Sequence, residues 1–122
     1  MKLHLAASSG QNLFTGYGPG YVAVNNVRHE KHIVVTADQI TAWSIESFEA
    51  LSAEVFESVL ALEPEIVLLG TGSALRFPDP ALSRRLAASG IGLEVMDTRA
   101  ACRTYNILIA EGRKVVAAIL IA

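Results

Sequence analysis

The spacing of apolar residues changes character near residue 50. Before it, apolar positions form short runs broken by turn formers. Tyr21-Val22-Ala23-Val24 reads as a strand, and Asn25-Asn26 supplies the positive φ of a tight hairpin turn. The return strand starts at Val27 and runs toward Glu30. Ile33-Val34-Val35-Thr36 is β-branched throughout and reads as another strand. Ile40 to Ile45, which carries the only tryptophan, Trp43, is a further candidate. Upstream, Gly16-Tyr17-Gly18-Pro19-Gly20 reads as a stiff, glycine-permissive bend.

After residue 50 the period alternates between that of a helix and that of a buried strand. The pattern predicts a helix from Ala53 to Ala61, with Ser52 as N-cap and Leu51 and Phe56 as a hydrophobic staple. Pro64 stops it. Ile66-Val67-Leu68-Leu69 is wholly apolar, as a strand covered on both faces requires. Asp79 and Pro80 read as N-cap and first residue of a helix that ends at Gly90. Ile91 to Met96 is the next strand. Asp97 or Thr98 caps a third helix that ends near Glu111-Gly112, and Val115 to Ile121 closes the chain as a strand. Residues 53–121 thus read as αβαβαβ with short connections, the order that builds a largely parallel sheet with helices packed on it. The expected fold is a three-layer α/β domain with a mixed, mostly parallel central sheet and an additional β-rich N-terminal element. Its 122 residues suit a single domain, 1–122.

Composition narrows the function classes. Hydrophobic residues make up 52% and charged residues 18%, enough apolar surface for a packed core and too much for a disordered chain. Ten basic residues against twelve acidic ones give a net charge of −2, which argues against a nucleic-acid partner. No apolar run approaches the ~18 residues of a membrane span, and residues 1–10 make a poor signal peptide. The single cysteine, Cys102, excludes an intramolecular disulfide and suits a reducing, cytoplasmic setting.

Candidate chemistry gathers where strands end. Gly70-Thr71-Gly72-Ser73 follows an apolar strand, and ligands in open α/β sheets sit beyond such carboxyl ends. The loop lacks the lysine of a phosphate-binding loop, and Leu75 stands where a dinucleotide fingerprint or a nucleophile elbow needs glycine. It reads as a tight structural turn or as a ligand loop. Asp97-Thr98 reaches the same sheet edge if the strands are parallel. It reads as plain N-capping or as part of an anion site. On the following helix Arg99, Arg103 and Asn106 share one face, either a solvated stripe or a surface for an anion or a partner's carboxylate. Ala101, Tyr105, Leu108 and Ile109 occupy the opposite side and should face the sheet. Cys102 lies in the first turns of this helix, where the dipole would lower its pKa modestly, and it reads as a small core residue. His29 and His32 fall on opposite faces of a strand, which argues against a shared metal. No cofactor motif is present, and no metal or cofactor is expected.

The ordered string Gly90-Ile91-Gly92-Leu93-Glu94-Val95-Met96-Asp97-Thr98-Arg99-Ala100-Ala101-Cys102-Arg103-Thr104-Tyr105-Asn106, then Glu111-Gly112-Arg113, with Gly70-Thr71-Gly72 upstream, resembles a small-domain family of largely unknown function. That family includes bacterial stand-alone proteins, the mitochondrial complex I assembly factor three and an adipogenesis-associated protein of animals. The resemblance is close over 66–122 and collinear before it. It implies a three-layer fold with a mixed sheet. It supplies no established reaction and no catalytic residues. Its mitochondrial members imply a protein-interaction role in respiratory complex assembly.

Two functions follow as expectations. The first is a non-enzymatic binding or assembly protein that meets a protein partner around Gly72, Asp97 and Arg103. The alternative is a small anionic ligand-binding or enzymatic site at the carboxyl edge of the sheet. In it Gly70, Thr71, Gly72 and the Thr98 helix end hold the anion, with Arg103 as counter-charge, Asp97 as base and Asn106 beside them. A homo-oligomer interface on the last strand is a third reading, because an exposed edge at 115–121 would invite pairing.

Overall fold

The structure is a computed structural model that describes residues 10–121. It contains two sheets. The small one is an antiparallel meander of β1 (Phe14–Gly18), β2 (Tyr21–Val24) and β3 (Val27–His29). The large one has the order β5-β4-β8-β6-β7, from β4 (Ile33–Val35), β5 (Ile40–Ala42), β6 (Ile66–Gly70), β7 (Gly92–Met96) and β8 (Val115–Ile119). β6 pairs in parallel with β7 and β8, whereas β4 runs antiparallel to β8 and β5. Four strands therefore point one way and β4 alone points back.

The hairpin at 25–26 forms as its residues demand. Asn25 and Asn26 take φ values of 51° and 66°, the left-handed pair that matches strand twist. The glycine-rich stretch behaves differently from its reading as a bend. Gly16, Tyr17 and Gly18 belong to β1, with a bulge between Phe14 and Gly16, and only Pro19-Gly20 turns. Burial decides this: Phe14 and Tyr17 both enter the core.

The large sheet separates two apolar cores with the strict period of two that strands impose. Ile33, Val35, Leu68, Val115, Ala117 and Ile119 face one side; Val34, Val67, Leu69, Val116, Ala118 and Leu120 face the other. α3 (Thr98–Ala110) covers the first face, and the small sheet packs outside it in the same core. α2 (Pro80–Ala88) covers the second face. Two helices on opposite faces follow from right-handed crossovers that run in opposite directions across the sheet, β6 to β7 through α2 and β7 back past β6 to β8 through α3. Asp79 Oδ1 accepts from Ala81 N and Asp97 Oδ1 from Ala100 N, both at 2.9 Å, so both aspartates act as N-caps.

Two sequence expectations are corrected here. The 53–61 helix shrinks to a 3₁₀ turn (Glu54–Phe56) and a single α turn, α1 (Glu57–Leu60), and Ser52 does not cap it. The indole N–H of Trp43 donates to Val55 O at 3.1 Å, within the 3₁₀ turn where the expected helix is broken. The last strand is not an edge. β8 lies between β4 and β6 with every residue buried, so it offers no backbone for pairing with a second copy.

α3 joins the two sheets. Tyr105 stacks edge-to-face on Phe14 at 5.1 Å, and its hydroxyl donates to Asn12 O at 3.0 Å. Asn106 Oδ1 accepts from Phe14 N at 2.9 Å while Nδ2 donates to Phe14 O at 2.8 Å. The carboxamide thus pairs with the edge of β1 as another strand would. Asn106→Leu removes both bonds and leaves a partly buried backbone pair unsatisfied. The expected cost is about 1–3 kcal/mol in urea unfolding, with faster amide exchange in β1 than in β6.

Candidate functional site

Five of the candidate residues lie at the carboxyl ends of β6 and β7. Gly70, Thr71 and Gly72 leave β6, Asp97 and Thr98 leave β7, and Arg103 lies further along α3. The parallel ladder brings the first five together. Thr71 N donates to Met96 O and Thr98 N donates to Gly72 O, both at 2.9 Å.

Thr98 is the junction. Its hydroxyl donates to Leu120 O at 2.8 Å and accepts from Gly72 N at 2.9 Å. One oxygen therefore links the chain after β6, the chain after β8 and the first turn of α3. The contact leaves little room at Gly70: a Cβ there would stand 3.0 Å from Thr98 Oγ1 and from Ile119 Cδ1, and 3.1 Å from Thr98 Cα. Gly72 adopts a φ of 97°, which carries the chain away from the strand. Thr71 completes the turn: its hydroxyl donates to Ala74 O at 2.7 Å and accepts from Arg76 N at 3.2 Å. Thr71 and Thr98 are the buried polar side chains among the described residues, and both hydroxyls are fully engaged.

An anion would find little here to bind. The amides of Gly72, Thr98 and Ala100 already donate within the protein. The place an anion would take at the helix N-terminus holds the Asp97 carboxylate, with a side chain 28% exposed and Arg99 at 3.9 Å. Arg103 is directed at the small sheet, where Nη1 donates to Tyr17 Oη at 2.9 Å. Asn106 is engaged with Phe14.

Cys102 and Tyr105 face the core. Burial pushes the Cys102 thiol up to about 12, outweighing the favourable field of Arg103, and the nearby Asp97 raises it further. The modest lowering expected from the helix dipole is therefore overridden. Burial, with the Asp38 charge, also raises the Tyr105 phenol well above its ordinary value. His29 and His32 both line one open groove, and His29 Nε2 is buried there with no hydrogen-bond partner among the described residues. His32 accepts from Ile121 N through Nδ1 at 2.9 Å and faces Glu46 O through Nε2.

Sequence reasoning missed the segment after the turn. Arg76 lies over the Phe48 ring at 4.1 Å and pairs with Glu49, so the loop is pinned from below. Its neighbours Leu75 and Phe77 point outward, 50% and 74% exposed. The available signal was a leucine and a phenylalanine around Arg76 in a stretch with no helix or strand period to bury them.

A mixed-sheet α/β protein with a small antiparallel sheet docked on α3 is the class that this fold and closed turn define. The chain belongs to the family described as "Protein of unknown function (DUF498/DUF598)", which matches residues 14–120. A crystal structure of a Bordetella parapertussis protein is similar at 40% identity and a TM-score of 0.86, covering 93% of this chain and 98% of that one. NADH dehydrogenase (ubiquinone) 1 alpha subcomplex assembly factor 3 of Bos taurus is 35% identical over 83% of this chain. The match spans 55% of the bovine protein's length. The 13 kDa major membrane protein of Francisella tularensis is 28% identical over 84% of this chain and 85% of its own. Among the described residues no helix is long and apolar enough to cross a membrane.

Three outcomes check this geometry. Gly70→Ala forces Thr98 or Ile119 to move and is expected to cost about 1–3 kcal/mol in urea unfolding. Thr98→Val keeps the shape but leaves Gly72 N–H and Leu120 C=O unpaired, at an expected cost of about 1–3 kcal/mol. Cys102 in the native protein is expected to resist iodoacetamide at pH 8 and to react fully in denaturant, followed by mass spectrometry.

Proposed function

We propose that this protein is a non-enzymatic binding or assembly protein that holds a protein partner at the carboxyl edge of its large sheet. The observation that carries the reading is the pinned loop with Leu75 and Phe77 turned to solvent. Two large apolar side chains exposed two residues apart make a small apolar patch, and aromatic side chains are enriched at the centre of protein interfaces. In this reading Gly70, Thr71, Gly72 and Thr98 build the platform and Asp97 flanks it as polar rim, whereas Arg103 is engaged with Tyr17 of the small sheet. The bovine relative, an assembly factor by name, points the same way.

The small-anion alternative is weaker, because its donors are engaged within the turn and Asp97 occupies the helix end. A cytoplasmic setting belongs to the same proposal and is supported by a sole cysteine kept as a buried thiol.

The test is a pull-down at native expression with the wild-type protein and a Leu75→Ala/Phe77→Ala variant. The wild type is expected to recover a specific protein that the variant loses, while the variant's stability stays within about 0.5 kcal/mol of wild type. Equal recovery by both proteins, or recovery of nothing specific, contradicts the reading.

A further inference from the structure

A second surface lies away from that loop, where the edges of the two sheets flank one open groove of about 600 Å³. β3 is an edge of the small sheet and β5 is an edge of the large one, and both contribute to its walls. The ladder between β4 and β5 fixes which backbone groups are free. Trp43 N donates to His32 O at one end, and Thr36 N donates to Gln39 O at the other. Hydrogen-bonded pairs alternate along an antiparallel ladder, so Thr41 opposite Val34 turns its backbone inward. Ile40 and Ala42 therefore present N–H and C=O outward, with no backbone partner among the described residues. Their side chains lie on the face shared by Ile33 and Val35, the side on which the small sheet packs. All three β5 residues are exposed.

Free backbone groups at alternate residues are the template for an added strand. The charge of the opposite wall selects its chemistry. Arg28, Lys31 and Glu30 line the groove. Arg28 is tied to Glu30 at 3.6 Å and stacks on Tyr21 at 3.8 Å. Lys31 has no carboxylate within ion-pair reach among the described residues. The groove thus carries an uncompensated cation in a chain whose net charge is −2. We propose that the β5 edge docks an extended peptide segment by strand addition at Ile40 and Ala42, with an acidic residue of that segment meeting Lys31. This surface is independent of Leu75 and Phe77.

The test pans the full chain against displayed random peptides of about eight residues, a length that matches one strand. Enriched peptides are expected to be acidic, to slow amide exchange at Ile40 and Ala42, and to weaken with added salt. Ala42→Pro removes one outward N–H while sparing the inward bonds of Thr41. It is expected to reduce affinity by about tenfold, the worth of one such bond, with little change in Tm. Lys31→Glu is expected to reduce affinity for the acidic peptides as well. Absence of enrichment, basic or neutral enriched peptides, or equal binding by Ala42→Pro would overturn the proposal. So would a wild-type dimer that Ala42→Pro dissociates, which would give this edge to a second copy. Should Ala42→Pro fail to fold, exchange at Ile40 and Ala42 in the wild type decides: unchanged protection with bound peptide overturns it.

Discussion

One hydroxyl sets the geometry of this protein. Thr98 Oγ1 sits between Gly72 N–H and Leu120 C=O and holds the first turn of α3 against the chain that leaves the two central strands. That approach is close enough that a Cβ at residue 70 would crowd Thr98 and Ile119. Once α3 is fixed there, its inner face falls on Leu68, Ala117 and Ile119. Its other side then receives the small sheet, through Tyr105 on Asn12, Asn106 on Phe14 and Arg103 on Tyr17. The small sheet's docking therefore rests on the seating of one helix end.

The same arrangement explains why the turn after β6 has the look of a ligand loop without its availability. Its glycines bring backbone amides close together, as anion-binding loops do. Here the amides meet protein oxygens, and the aspartate that caps α3 fills the electropositive position itself. Thr71 and Arg76 then hold the next stretch still. Leu75 and Phe77 reach solvent there beside Ser73 and Arg76, so the exposed stretch mixes apolar and polar side chains.

Local rules carried much of the fold. The caps at Asp79 and Asp97, the Asn25-Asn26 hairpin and the alternation after residue 60 each rest on short-range preferences that tertiary contacts did not oppose. The failures have one cause, a distant partner. Trp43 bonds Val55 O within the segment where the 53–61 helix breaks into a 3₁₀ turn and a single α turn. β4 returns antiparallel beside β8 and moves the last strand from edge to centre. Phe14 and Tyr17 draw a glycine-rich stretch into β1. At the site, grouping of Gly70-Thr71-Gly72 with Asp97-Thr98 was legible from strand order. Thr98 as a bridge, and Asn106 as a strand mimic 92 residues from its partner, were not, since no pattern along the chain encodes the other half of such a bond.

Native-state hydrogen exchange at the Gly72 amide tests the closed turn most directly. If that amide is held by Thr98 in a unit on which the fold depends, it exchanges only through global unfolding, with the same free energy as the amides of β6 and β8. Exchange at the rate of an open loop, while β6 and β8 stay protected, would show a donor free for solvent or ligand and would contradict the account.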